Sequence, residues 1–261
     1  MAAVQERTIN VWDDKVKARV KVAGSGPALV FFHGAAGLQW GEFLDGLARD
    51  FTVYAPEHPG TSEGDPEAHR ALDDLWDLVL FYDELFEKLG LSSPAIVGHS
   101  FGGMVAAEMA ANFPRRAGKL VLINSLGLWL DNAPIRNYMV TPAPELIPMM
   151  FADPGNPAAA QFLPNPADAD GVIRTIWALG CTGKYCWPIF EKGLKKRIHR
   201  IAAPTLVLWG KQDALTPPVY AQEFGRLIKG AKVELVDRAA HMLPVEQPQA
   251  VARTVGDFLR R

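Results

Sequence analysis

The sequence predicts an α/β architecture, with a mainly parallel sheet covered by helices on both faces. Short β-branched or aromatic runs alternate with longer stretches of helical period, the rhythm of strands joined by crossover helices. One run, residues 28–33, is apolar enough to be a strand buried on both faces. The 261 residues are 49% hydrophobic and 21% charged, enough for a large core with room for an insertion.

The elements follow in order. Residues 7–12 and 16–22 flank Asp13-Asp14-Lys15 and read as a hairpin. After the turn at 24–27 come the buried strand 28–33, a helix over 39–49 and a strand over 51–55. Residues 72–89 place Leu75, Trp76, Val79, Leu80, Tyr82, Leu85 and Phe86 on or near one helical face, and Gly90 supplies a stop. A strand over 94–98, a helix over 101–113 ended by Pro114, and a strand over 119–124 follow. The rhythm then breaks. From 125 to 200 no β run is convincing, and prolines from Pro134 to Pro188 separate short helical patterns such as 171–180. A mostly helical insertion fits better than a loop of that length. Strands over 205–209 and 232–236 resume the sheet, and 248–260 closes the chain as a helix. The expected organisation is a core of residues 1–124 and 201–261 with an insertion at 125–200.

The formal net charge of −2 offers no surplus of cations for phosphate contacts, which argues against a nucleic-acid partner. The local run Lys195-Lys196-Arg197 reads as the solvated face of a helix. Cys181 and Cys186 are too few for a disulfide scaffold and read as buried thiols. Met1 to Arg7 lacks the apolar core of a signal peptide, and no apolar run nears the ~20 residues of a membrane helix. The expectation is a cytoplasmic monomer or homodimer acting on a small molecule away from membranes.

Gly98-His99-Ser100-Phe101-Gly102 matches G-x-S-x-G between a strand and a helix. A turn this sharp strains the serine backbone and crowds the residues two positions away, where glycine removes the clashing Cβ atoms. The following helix turns its free N–H groups and dipole toward the serine hydroxyl.

With this motif in this setting, the chain resembles the α/β-hydrolase family in its cap-bearing branch, over roughly residues 8 to 260. The resemblance implies a mostly parallel eight-stranded sheet with a helical cap inserted after the sixth strand. It implies Ser100 as nucleophile, His241 in Ala239-Ala240-His241-Met242 as base, and Asp213 in Trp209-Gly210-Lys211-Gln212-Asp213 as acid. The family more often has glycine where Ala240 stands. Phe32-His33-Gly34-Ala35 would give the backbone N–H of Ala35 to an oxyanion hole, and Phe101 would give the second. A weak serine nucleophile needs such a base, an orienting acid and a place for the developing anion. His33 is expected to hydrogen-bond its loop. Asn124, at the family's other acid position, cannot serve as a carboxylate. Asp237 reads as solvated or capping, and Glu246 as the start of the last helix. Glu57-His58-Pro59-Gly60-Thr61-Ser62 stands where many relatives carry Asp-x-Pro-Gly-x-Gly, so His58 reads as a turn residue.

No H-E-x-x-H, Walker loop or G-x-G-x-x-G after a strand occurs, and the chemistry requires no metal or organic cofactor. The serine excludes the family's aspartate-nucleophile dehalogenases and epoxide hydrolases. The insertion is rich in Trp129, Met139, Met150, Phe162, Trp177, Tyr185 and Trp187, which suggests an apolar or aromatic pocket. Its candidate lining is Gly34, Trp129, Met150, Trp177, Leu215 and Met242. No inward cluster of Arg or Lys is apparent. Four functions stay open: a carboxylesterase or lactonase, a carbon–carbon bond hydrolase of the meta-cleavage-product type, a cofactor-free perhydrolase or haloperoxidase, and a ligand receptor without catalysis.

Overall fold

A computed structural model describes residues 3–62, 64–160 and 168–261; Phe162, expected in the pocket-forming set, lies outside them. One eight-stranded sheet runs through the molecule in the order β1-β2-β4-β3-β5-β6-β7-β8. These are β1 (Gln5–Val11), β2 (Val16–Ala23), β3 (Ala28–Phe32), β4 (Thr52–Pro56), β5 (Ala95–His99), β6 (Lys119–Ile123), β7 (Thr205–Gly210) and β8 (Lys232–Val236). Strand β2 pairs antiparallel with both β1 and β4, and every other pairing is parallel. The hairpin turn carries Trp12, Asp13 and Asp14 at positive φ.

The central strands are buried on both faces, which explains their unbroken apolar sequence. Their side chains divide with period two. Val30, Phe32, Ile96, Leu120, Leu122, Val207 and Trp209 pack into one cluster, with α2 (Leu75–Lys88), α3 (Phe101–Asn112) and α8 (Val219–Leu227). Leu29, Phe31, Val97, Val121, Ile123, Leu206 and Leu208 face the other way, onto α1 (Glu42–Leu47) and α10 (Pro248–Arg260).

Local chemistry sets the helix ends. Asp74 starts α2 by accepting from Trp76 N and Asp77 N, three residues later than the periodicity suggested, because a 3₁₀ turn occupies Ala68–Ala71. Helix α1 begins only at Glu42, behind an extended Gly41, so Gln39 and Trp40 belong to a loop. Helix α8 was not apparent in the sequence. Pro217-Pro218 precedes it, and it buries only Tyr220, Ala221 and Phe224.

Between β6 and β7 lie α4 (Ala143–Met150), α5 (Pro157–Ala160), α6 (Ala169–Cys186) and α7 (Leu194–Arg197). No strand occurs among the described residues of that segment. Helix α6 is tied to the core by Trp177 Nε1 donating to Gly60 O at 3.0 Å, and by Lys184 Nζ donating to His69 O and Leu72 O. Within the basic run, only Arg197 departs from the expected solvated role. Arg197 makes a two-point pair with the buried Glu108, at 2.7 and 3.1 Å, and so pins α7 to α3. Lys195 and Lys196 do reach solvent or the surface around it. Both cysteines are buried free thiols, and burial pushes each up to about 11.

Candidate active site

The turn after β5 brings the site together. Ser100 sits between strand and helix with φ 56° and ψ −118°, a conformation that costs a non-glycine residue of order 1–3 kcal/mol. Its N–H donates to Ile123 O at 3.0 Å, while its own carbonyl accepts from Gly103 N and Met104 N of α3. A Cβ on Gly98 would stand 2.3 Å from Gly102 O, and one on Gly102 would stand 2.0 Å from Phe32 O. The two glycines let strand, turn and helix approach this closely.

Ser100 Oγ lies 2.8 Å from His241 Nε2, and His241 Nδ1 lies 3.0 Å from Asp213 Oδ2. The three residues come from the ends of β5, β7 and β8, and all are buried. With Asp213 ionised, only a protonated Nδ1 can donate to it. Nε2 is then a bare acceptor facing the serine hydroxyl, the arrangement a general base requires.

Asp213 is held more completely than the sequence suggested. Its Oδ1 accepts from Leu215 N and Thr216 N, at 2.9 and 2.8 Å. Its Oδ2 accepts from Asn124 Nδ2 and Thr216 Oγ1, each at 2.6 Å, besides His241. Asn124, no carboxylate itself, thus becomes a donor to the one next door. The spacing of Thr216 three residues after a loop aspartate is a detectable turn signal; the Asn124 contact bridges 89 residues and has no local signature.

Two further residues position the histidine loop. His99 Nε2 faces His241 O at 2.8 Å, so it carries the proton and donates it; burial holds this ring at about 4, hence neutral. Glu246, expected to open the last helix, ends the short α9 (Leu243–Glu246) instead. Its carboxylate accepts from Ala240 N and Ala152 N, both at 2.7 Å, joining the histidine loop to the end of α4. Burial raises its carboxyl pKa. Asp237 stays exposed and pairs with Lys211.

A cavity of about 1350 Å³ opens above Ser100 and His241. Of the expected lining, Gly34, Met150, Leu215 and Met242 border it. Trp129 and Trp177 do not. The Trp129 indole donates to Asp131, and Trp177 turns away to Gly60 O and the His69 ring. Ala178 and Leu179, the next residues along α6, face the cavity in its place, together with Leu146, Ile147 and Ala35. Arg19, Lys21 and Arg174 also border this space, so its wall is not free of cations. Arg19 is engaged by Glu6 and Glu57, and Arg174 lies 4.0 Å from Asp168. Among the described residues, no group of three or more His, Cys, Asp or Glu is placed to hold a metal ion, and no helix is long and apolar enough to cross a membrane.

Known proteins resemble the chain along most of its length. The chain is 27% identical over 245 residues to the dihydrolipoyllysine-residue acetyltransferase component of the acetoin cleaving system of Cupriavidus necator, covering 90% of this chain and 64% of that one. This chain therefore spans just under two thirds of that relative's length. It is 25% identical over 264 residues to a 2-hydroxy-6-oxo-6-phenylhexa-2,4-dienoate hydrolase of Burkholderia cepacia, covering 91% and 89%. Among solved structures, a bacterial membrane phospholipase A superposes with a TM-score of 0.80 at 22% identity, over 98% of this chain and 86% of that one; at that identity the likeness speaks for the fold. The model of the alpha/beta hydrolase family matches residues 29–254, from the third strand to the last helix and across all three residues joined at Ser100, and the chain belongs to that family.

Proposed function

We propose that the protein is a serine hydrolase that cleaves carboxylic esters or lactones of apolar or aromatic small molecules. The observation that carries this reading is the continuous hydrogen-bond line from Ser100 Oγ through His241 to Asp213, at 2.8 and 3.0 Å. In this reading His241 takes the hydroxyl proton as Ser100 attacks the ester carbonyl. The backbone N–H groups of Ala35 and Phe101 bind the oxygen that becomes an anion. His241 then protonates the departing alcohol, leaving an acyl group on Ser100. Water, deprotonated by the same histidine, releases the acid and restores the serine. Residues 125–200 act as a cap, and the aliphatic and methionine side chains of α4 and α6 select an apolar acyl or alcohol part.

A second reading is favoured by the Burkholderia relative, whose name is that of a dienoate hydrolase and which matches over 91% of this chain. Here the same residues would cleave a carbon–carbon bond next to a carbonyl. Hydrolysis of p-nitrophenyl esters of increasing chain length separates the two, with Ser100→Ala as control. The ester reading expects turnover of short or medium chains and a loss in the variant of about a million-fold in kcat. Undiminished hydrolysis by Ser100→Ala would refute the role of Ser100. Absent ester turnover with rapid bleaching of a coloured dienoate would establish the second reading.

A further inference from the structure

We infer that His58, oriented by Tyr82, is a positioning residue that fixes both halves of the oxyanion site; the inference rests on the reading of Ala35 and Phe101 as the two donors. His58 lies in the turn after β4, outside the line from Ser100 to Asp213, yet it is buried against His33 and Phe101. Its backbone N–H donates to His33 Nε2 at 3.0 Å. A backbone N–H can only donate, so His33 Nε2 is bare and His33 Nδ1 carries the proton, which it gives to Gly34 O at 2.7 Å. The His58 ring replies to the same residue. Its Nε2 lies 2.9 Å from His33 O, a carbonyl that can only accept, so this nitrogen is protonated. Both rings are neutral: burial, the largest cause, presses His33 well below its ordinary value and holds His58 at about 4. A neutral ring protonated at Nε2 has a bare Nδ1, which here meets Tyr82 Oη at 2.5 Å. Tyr82 must donate, and burial keeps its phenol protonated by raising its pKa well above 10.

Every proton in this chain therefore has one allowed place. The line runs from Tyr82 in the core-facing side of α2, through His58, to the carbonyls of His33 and Gly34. Those are the two peptide units before Ala35, so their orientation sets where the Ala35 N–H points. The second half of the site is touched directly. The His58 ring meets the Phe101 ring edge-on, with centroids 4.9 Å apart, and Phe101 also stacks with Tyr185 of α6. One imidazole thus holds the loop that carries one donor and packs against the residue that carries the other.

The test uses His58→Leu, which keeps an apolar group against Phe101 and removes all ring hydrogen bonds, and His58→Gln, whose amide can still donate toward His33 O. Tyr82→Phe removes only the orienting hydroxyl. The readouts are kcat and KM for a p-nitrophenyl ester, and the affinity of a trifluoromethyl ketone, whose adduct on Ser100 places an oxyanion in the site. For His58→Leu, kcat and the ketone affinity are expected to fall together by ~10–100-fold with KM unchanged, since displacing a donor forfeits part of the ~100–1000-fold that deleting one costs. His58→Gln is expected to recover most of the loss, and Tyr82→Phe to lose ~3–10-fold in both readouts. A merely structural role would lower thermal stability without the matched loss in kcat and ketone affinity. Should His58→Leu not fold, Tyr82→Phe decides: unchanged kcat and ketone affinity overturn the inference. If the wild-type protein neither turns over the ester nor binds the ketone, the ester-hydrolase reading itself falls. Imidazole ¹⁵N shifts then still read the clamp: His58 protonated at Nε2 and His33 at Nδ1 are expected, and either opposite tautomer overturns it.

Discussion

Gly102→Ala is the substitution to which the elbow is most exposed. A methyl group there would lie 2.0 Å from Phe32 O, 2.4 Å from the carbonyl carbon of Phe32 and 2.5 Å from His33 O. All three are backbone atoms at the end of β3, so no side chain can rotate away. Carbon and oxygen settle at about 3.3 Å even in a favourable contact, so α3 and the 32–34 segment must separate by roughly 1 Å. Overpacking of this kind costs ~1–3 kcal/mol, and a backbone-to-backbone clash belongs at the upper end. At ~2–4 °C per kcal/mol for a chain of this size, the loss in Tm is about 6–12 °C. A shift of about 1 Å between Ser100 and the Ala35 loop should also lower kcat ~100-fold. Circular-dichroism melting and p-nitrophenyl ester turnover at 25 °C measure both quantities. Gly180→Ala is the matched control: among the described residues, nothing outside its own helix backbone and chain neighbours lies within 4 Å of its Cβ position on α6, so the gain in helix propensity should stabilise by ~1 kcal/mol. Gly102→Ala within about 2 °C of wild type and with kcat within about threefold would refute the steric reasoning.

Other perturbations probe the electrostatics. Asp213→Asn places an amide among three donors aimed at Oδ2; it should lower kcat by ~10,000-fold with KM little changed, and a loss under about tenfold would contradict the orienting role of the carboxylate. Stability should fall as pH drops from about 6.5 toward 4. His58 and His99 are held at about 4 in the fold, against 6.5 when unfolded, and His33 is lowered as well. The unfolded chain therefore binds more protons across that window, so stability is present above 6.5 and lost on the way down. Glu108 and Glu246, raised by burial, act in the opposite sense, because their contribution is lost as pH rises. Urea midpoints measured between pH 4 and 7 should register a net uptake of about two protons on unfolding; a flat profile would mean that these histidines are not buried as neutral rings.

What the sequence made legible was local. Six strands announced themselves as short apolar or β-branched runs and β1 and β2 as the arms of a hairpin, and the glycine-flanked Ser100 named the elbow because its constraint acts within five residues. Asp213 and His241 were found through motifs that follow strands β7 and β8. The remainder depends on what long chain separation brings together. Asn124 reaches Asp213 across 89 residues, and His99 reaches the His241 carbonyl across 142. Tyr82 looked like one more apolar face residue of α2, yet its hydroxyl meets His58 across 24. Trp129 and Trp177 illustrate another limit. Composition showed that the insertion was rich in aromatics, but a rotation of one residue along α6 decides whether Trp177 or Ala178 faces the cavity.

The central claim is that Ser100 is the nucleophile, and covalent capture tests it most directly. The wild-type protein incubated with a p-nitrophenyl alkylphosphonate should gain the mass of one phosphonyl group per chain, with release of one equivalent of p-nitrophenol. Peptide mapping should place that group on Ser100. Ser100→Ala should gain nothing, and His241→Gln should react far more slowly. A full equivalent of label on the Ser100→Ala variant, or on any residue other than Ser100 in the wild type, would contradict the account.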